Sequence, residues 1–112
     1  MDFPAPADLG RLEAAAGEAS QLLKALSNRD RLLLLCQMTQ GELSVGMLEA
    51  RTGIRQPTLS QQLTVLREEG LAATRRAGKQ VFYSIASPKA LAVLQLLYSL
   101  YCPSDEEQRD EH

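Results

Sequence analysis

Residues 44–83, SVGMLEARTGIRQPTLSQQLTVLREEGLAATRRAGKQVFY, decide the fold, because the spacing of apolar residues changes within them. Ser44 is a good cap for a short helix from Val45 to about Arg51. Gly53 follows, where a tight turn between two helices needs a residue free to take positive φ. Pro57 suits the first turn of the next helix, with Gln56 just before it. That helix runs to about Glu69 over a buried stripe of Leu59, Leu63 and Leu66, and Gly70 stops it. From Leu71 to Ala86 the period drops to two, with Val81, Tyr83 and Ile85 on one side and Phe82 and Ser84 on the other. Ala77-Gly78-Lys79 then makes the turn of a β-hairpin with arginines at its tip.

A short helix, a glycine turn, a second helix with a polar leading edge and a basic hairpin describe a winged helix-turn-helix. Outward from it, a first helix is expected from about Leu9 to Leu26, capped by Asp8, with Leu9, Leu12, Ala16, Ala19, Leu23 and Leu26 at helical spacing. Ser27 and Asn28 break it, and a second helix covers roughly Arg29 to Thr39. Leu32, Leu33, Leu35 and Cys36 make that helix apolar nearly all round, which marks it as central. Pro88 opens a last helix to about Tyr101, with Leu91, Leu94, Leu97, Tyr98 and Tyr101 along one face, and Pro103 ends it. The fold class is mainly α with a small β-hairpin (α+β). Residues 9–102 form the domain, between a flexible N-terminus at 1–8 and an acidic disordered tail at 103–112.

One domain is what 112 residues allow, and 45% apolar against 23% charged residues is the composition of a folded chain. The longest apolar cluster, Leu32 to Cys36, is far short of the about 18 residues a membrane span needs. Met1 to Asp8 carries two prolines and two aspartates, with none of the basic and apolar regions of a signal peptide. A cytoplasmic location is therefore expected, and there a bond between Cys36 and Cys102 would be conditional rather than permanent. The net charge of -2 hides an asymmetry. Six basic residues face two acids between Arg51 and Lys79, and five acids face one arginine from Asp105 to His112.

The basic segment points to double-stranded DNA. A recognition helix must bury one face yet offer polar side chains near its N-terminus to base edges; Thr58, Ser60, Gln61 and Gln62 suit this, since glutamine pairs bidentately with adenine. Gln56 lies at the helix entry and Ser44 at the start of the preceding helix, both within the DNA-binding set. Arg75, Arg76, Lys79 and Gln80 of the hairpin would lie along the phosphates or in the minor groove, setting affinity more than sequence choice. Taken alone, a Gln/Ser/Thr-rich face or an Arg-Arg pair is ordinary solvated surface; their order along the chain gives them meaning.

These segments resemble the ArsR/SmtB bacterial repressors: Leu23 to Arg31 (LKALSNRDR), Gln56 to Leu63 (QPTLSQQL), Val65 to Leu71 (VLREEGL) and Gly78 to Tyr83 (GKQVFY) carry the likeness. The resemblance implies a homodimer built from the first and last helices that reads an inverted-repeat operator. It gives a use to two apolar stripes with no home in so small a monomer, with Leu9, Leu12, Leu23, Leu91, Leu94, Tyr98 and Tyr101 at the interface. Metal-sensing members often carry a Cys-Val-Cys triplet where this chain has Ser44-Val45-Gly46, and the single histidine here is His112; no metal or cofactor is expected.

One cysteine on the second helix and one at the end of the last is similar to the persulfide-responsive BigR/SqrR-type branch. That likeness implies a reduced dithiol that binds DNA, and release when reactive sulfur or oxidant joins Cys36 and Cys102. From residues alone, a cysteine among leucines is most often inert core, and neither thiol has a sequence neighbour that would lower its pKa. Peroxide, haem or a soft metal held by the two cysteines stay open as signals. No Ser-His-Asp set, phosphate loop or paired carboxylates argue for an enzyme. A winged-helix module that binds protein is the other class, told apart by steep salt dependence of DNA binding.

Overall fold

The computed structural model describes residues 9–102. The expected Asp8 cap, the N-terminus at 1–8, the tail at 103–112 and His112 lie outside the described residues. Five helices and three strands follow in the order α1 (Leu9–Leu26), α2 (Arg29–Gln37), β1 (Leu43–Ser44), α3 (Val45–Thr52), α4 (Thr58–Glu68), β2 (Ala72–Ala77), β3 (Gln80–Ile85) and α5 (Pro88–Tyr101). Among the described residues, no helix is long and apolar enough to cross a membrane.

Side-chain caps start most of the helices. Asn28 accepts from the Arg31 N–H at 3.0 Å to open α2, and Ser44 Oγ accepts from the Met47 N–H at 3.1 Å to open α3. Ser87 Oγ accepts from the Ala90 N–H at 3.0 Å, with Pro88 in the first position of α5. Pro57 stands at the cap position of α4 rather than inside its first turn, so the cap comes from one residue earlier: Gln56 Oε1 accepts from the Ser60 N–H at 3.0 Å. Gly53 ends α3 at φ 74, and its N–H donates to the Glu49 carbonyl at 2.9 Å, which sets the turn between α3 and α4.

The core is mostly leucine. Leu34 and Leu35 of α2, Leu48 of α3, Leu59, Leu63 and Leu66 of α4 and Leu94 of α5 are fully buried together. Each such side chain contributes about 1.5–3 kcal/mol relative to exposure. The stripe expected on α4 is therefore its packed face. Helix α2 is central but not wrapped on all sides, since Leu32, Leu33 and Cys36 are only partly buried, and it ends at Gln37, short of Thr39.

The sheet holds one strand more than the hairpin expected. β2 and β3 pair antiparallel from Ala72↔Ile85 to Ala77↔Gln80, and β1 adds to the other edge of β3 through Leu43↔Tyr83 and Ser44↔Phe82. Two residues is too short a strand for alternation to signal. The tip of the wing is Gly78-Lys79, with Gly78 at φ 61. Arg75 and Arg76 lie in the body of β2, opposite Phe82 and Val81, and not at the tip as the sequence suggested.

Candidate nucleic-acid interface and dithiol groove

Because Leu59, Leu63 and Leu66 bury one side of α4, the other side is presented outward. Ser60 and Gln61 are exposed and Thr58 is half-buried. Gln62 departs from the expectation: it is half-buried, and its Oε1 accepts a hydrogen bond from Arg31 Nη1 at 2.9 Å. Gln56 is exposed, but its amide oxygen is taken by the helix start. Ser44 must be corrected outright. It is buried, paired to β3 through its backbone and engaged as the α3 cap, so its first role is to hold the start of α3 against the sheet.

The wing divides its basic residues. Arg76, Lys79 and Gln80 are exposed with no side-chain hydrogen bond or salt bridge among the described residues. Arg75 is held back. Its Nε lies 3.1 Å from both carboxylate oxygens of Glu42, its Nη2 also donates to Glu42 Oε1, and its guanidinium stacks 4.8 Å above the Phe82 ring. The bond from Arg75 holds the Glu42 carboxyl below its ordinary range and, reciprocally, raises Arg75. Sequence reading missed Glu42, which precedes β1, because nothing local says that β1 will lie beside the wing.

Between them, α2 and α5 leave an open groove of about 890 Å3. Leu32, Leu33 and Cys36 form one wall, and Leu97, Tyr98, Tyr101 and Cys102 the other; the remaining lining residues are uncharged. Both cysteines are free, Cys36 half-buried and Cys102 exposed at the C-terminal end of α5. Burial pushes the Cys36 thiol up, and negative charge on the nearby Cys102 pushes it further the same way. Two residues 66 positions apart (102 minus 36) thus line one groove.

The residues expected at a dimer interface fall into two groups. Leu9 and Leu23 of α1 and Tyr98 and Tyr101 of α5 are 58–77% exposed, and Leu12 is also exposed. Leu96 and Leu100 share this exposure and were not singled out from the sequence. Leu91 is half-buried. Leu94 is a correction: at 1% exposure it belongs to the protomer's own core and cannot serve an interface.

Comparison with known proteins agrees with this architecture. The family of bacterial regulatory proteins described as arsR matches residues 28–74. The biofilm growth-associated repressor of Agrobacterium fabrum is 49% identical over 106 residues, covering 90% of this chain and 91% of that protein. The crystal structure of the transcriptional repressor BigR from Xylella fastidiosa superposes with a TM-score of 0.79 at 48% identity, covering 85% of this chain and 97% of the other. The solution structure of the homodimeric winged helix-turn-helix DNA-binding domain of Mb0332 from Mycobacterium bovis matches at a TM-score of 0.69 and 28% identity, over 100% of this chain and 96% of that one.

Proposed function

The chain belongs to the ArsR family of bacterial regulatory proteins, and from that premise we propose that it is a homodimeric, DNA-binding transcriptional repressor that leaves an inverted-repeat operator when reactive sulfur or oxidant joins Cys36 to Cys102. Its relatives are regulators and not enzymes. One observation carries the sensing half of this reading: the two thiols face one uncharged groove between α2 and α5. DNA contact falls to Thr58, Ser60 and Gln61 of α4, to Arg76, Lys79 and Gln80 of the wing, and to Gln56 through the part of its amide not bound to the helix. The dimer is supported by the exposed leucines and tyrosines of α1 and α5 and by the homodimeric relative.

The chemistry balances without a metal. Two thiols and one organic persulfide give a disulfide, one organic thiol and one hydrogen sulfide; each further persulfide consumed inserts one sulfur atom into the bridge and releases one more organic thiol. Peroxide closes only the direct disulfide, reduced itself to water. A metal takes three or four ligands, and the groove offers two sulfurs among leucine, glutamine, threonine and tyrosine, which favours bridging over coordination. Closing a bridge draws the end of α5 against α2. If α5 also lines the dimer interface, the two recognition helices change their separation, and DNA affinity falls by the difference in stability of the two dimer shapes.

The test is a DNA titration of the reduced protein beside samples treated with an organic persulfide or with hydrogen peroxide, each followed by intact mass. Cys36→Ser is expected to bind DNA as the parent does and to ignore the persulfide. A full response in that variant removes the dithiol mechanism.

A further inference from the structure

Arg31 lies half-buried in the first turn of α2 and engages three acceptors. Its Nε donates to the Ala25 carbonyl at 2.7 Å, its Nη2 to the Lys24 carbonyl at 3.3 Å and its Nη1 to Gln62 Oε1 at 2.9 Å. The two carbonyls belong to the last turn of α1, where helix geometry leaves acceptors without intrahelical partners and concentrates negative partial charge. One guanidinium therefore joins the end of α1, the start of α2 and the middle of α4.

A guanidinium has donors and no acceptor, so the amide oxygen of Gln62 is the atom that must face it. Bidentate reading of adenine needs both the oxygen and the nitrogen of a glutamine amide. With its oxygen bonded to Arg31 and its side chain half-buried, Gln62 is turned toward the α1–α2 body, whereas its neighbour Gln61 is exposed and free of such a bond. We infer that Gln62 is a positioning residue: through Arg31 it fixes how α4 sits on the α1–α2 body, and it discriminates between no bases. Base choice then rests on Gln61 and the short hydroxyl side chains beside it. This inference rests on the chain being a DNA-binding regulator.

The test compares wild type, Gln62→Ala, Gln62→Glu, Arg31→Lys and the Gln62→Ala/Arg31→Lys double variant, all full-length and reduced. Anisotropy is measured on a duplex enriched from a random library by the wild type, and on the same duplex with each base pair replaced in turn; thermal melts accompany every sample. Gln62→Glu keeps the acceptor and has its charge met by Arg31, so it is expected to bind within about threefold of wild type. Gln62→Ala is expected to weaken binding by about tenfold, the worth of a charge-assisted hydrogen bond, by the same factor on every duplex. The double variant should be no weaker than the weaker single variant, because both remove one link. Loss of preference at a single base pair in Gln62→Ala overturns the inference. So does a loss beyond about tenfold in Gln62→Glu with a normal melt, since that places the new charge against phosphate. If the wild type enriches no duplex, it is the regulator reading that falls. The link is then judged by the melts alone: non-additive destabilisation in the double variant supports it, and additive destabilisation overturns it.

Discussion

Glu42 and Arg75 show how one exposed ion pair can govern a basic wing. The pair is solvent-exposed and adds little to stability by itself, but it ties up a cation of the wing that the proposed function sets against DNA. Glu42→Gln is expected to free Arg75, tightening DNA binding at low salt and steepening the dependence of log affinity on log salt by about 0.9, one phosphate's worth. Unchanged salt dependence would mean that Arg75 stays over Phe82 without its carboxylate. The sign of the pH effect follows from the lowered Glu42 pKa. The pair's contribution is present above the unfolded value of 4.5 and is lost as pH falls through the lower folded value. The melting advantage of wild type over Glu42→Gln should accordingly shrink on acidification below that value. The cysteines make a second test at this scale. Cys36 is half-buried with its thiol pushed up, so iodoacetamide at neutral pH is expected to label exposed Cys102 first and to reach Cys36 faster as pH rises. Peptide mass spectrometry that finds Cys36 labelled first contradicts that order.

At the level of the helices and strands, the α3–α4 turn depends on Gly53. A side chain there would touch nothing within 4 Å, so the cost of Gly53→Ala is the left-handed backbone alone, about 1–2 kcal/mol. A melt lowered by roughly 4–8 °C per kcal/mol is expected for a domain this size, and an unchanged melt would show that the turn relaxes to another shape. This turn was legible in the sequence, as were all five helices and the hairpin, because apolar spacing, glycine and proline are local signals. Contacts between distant segments were not. Ser44 was recognisable as a cap, yet only the pairing of β1 with β3 shows that it is also buried against the sheet. Gln62 reads as a base contact by type and position, and its partner Arg31 lies 31 residues earlier. Leu94 follows the same stripe as Tyr98 and Tyr101, yet Leu94 is buried and the tyrosines are exposed, a change along one face that spacing alone does not give.

The described residues have a radius of gyration of 16.8 Å, against about 13 Å for a compact domain of roughly 100 residues. Much of the excess is α1, exposed along most of its length and anchored by Leu22, Ala25 and Leu26 at its C-terminal end. A helix in that condition gains little from packing within its own protomer, which supports the proposed dimer as its cover. Leu100→Asp is expected to raise the dimer dissociation constant by roughly tenfold or more in sedimentation velocity, with the helix content kept. A dimer as tight as the parent's would move the interface elsewhere. On the proposed reading, the dithiol groove is where this assembly would receive its signal. The most direct measurement is the affinity of the persulfide-treated protein for its selected duplex, set beside that of the reduced protein, with intact mass recorded on the same samples. A bridged mass accompanied by loss of DNA binding is the result expected; a bridged chain that holds the duplex as tightly as the reduced one contradicts the account.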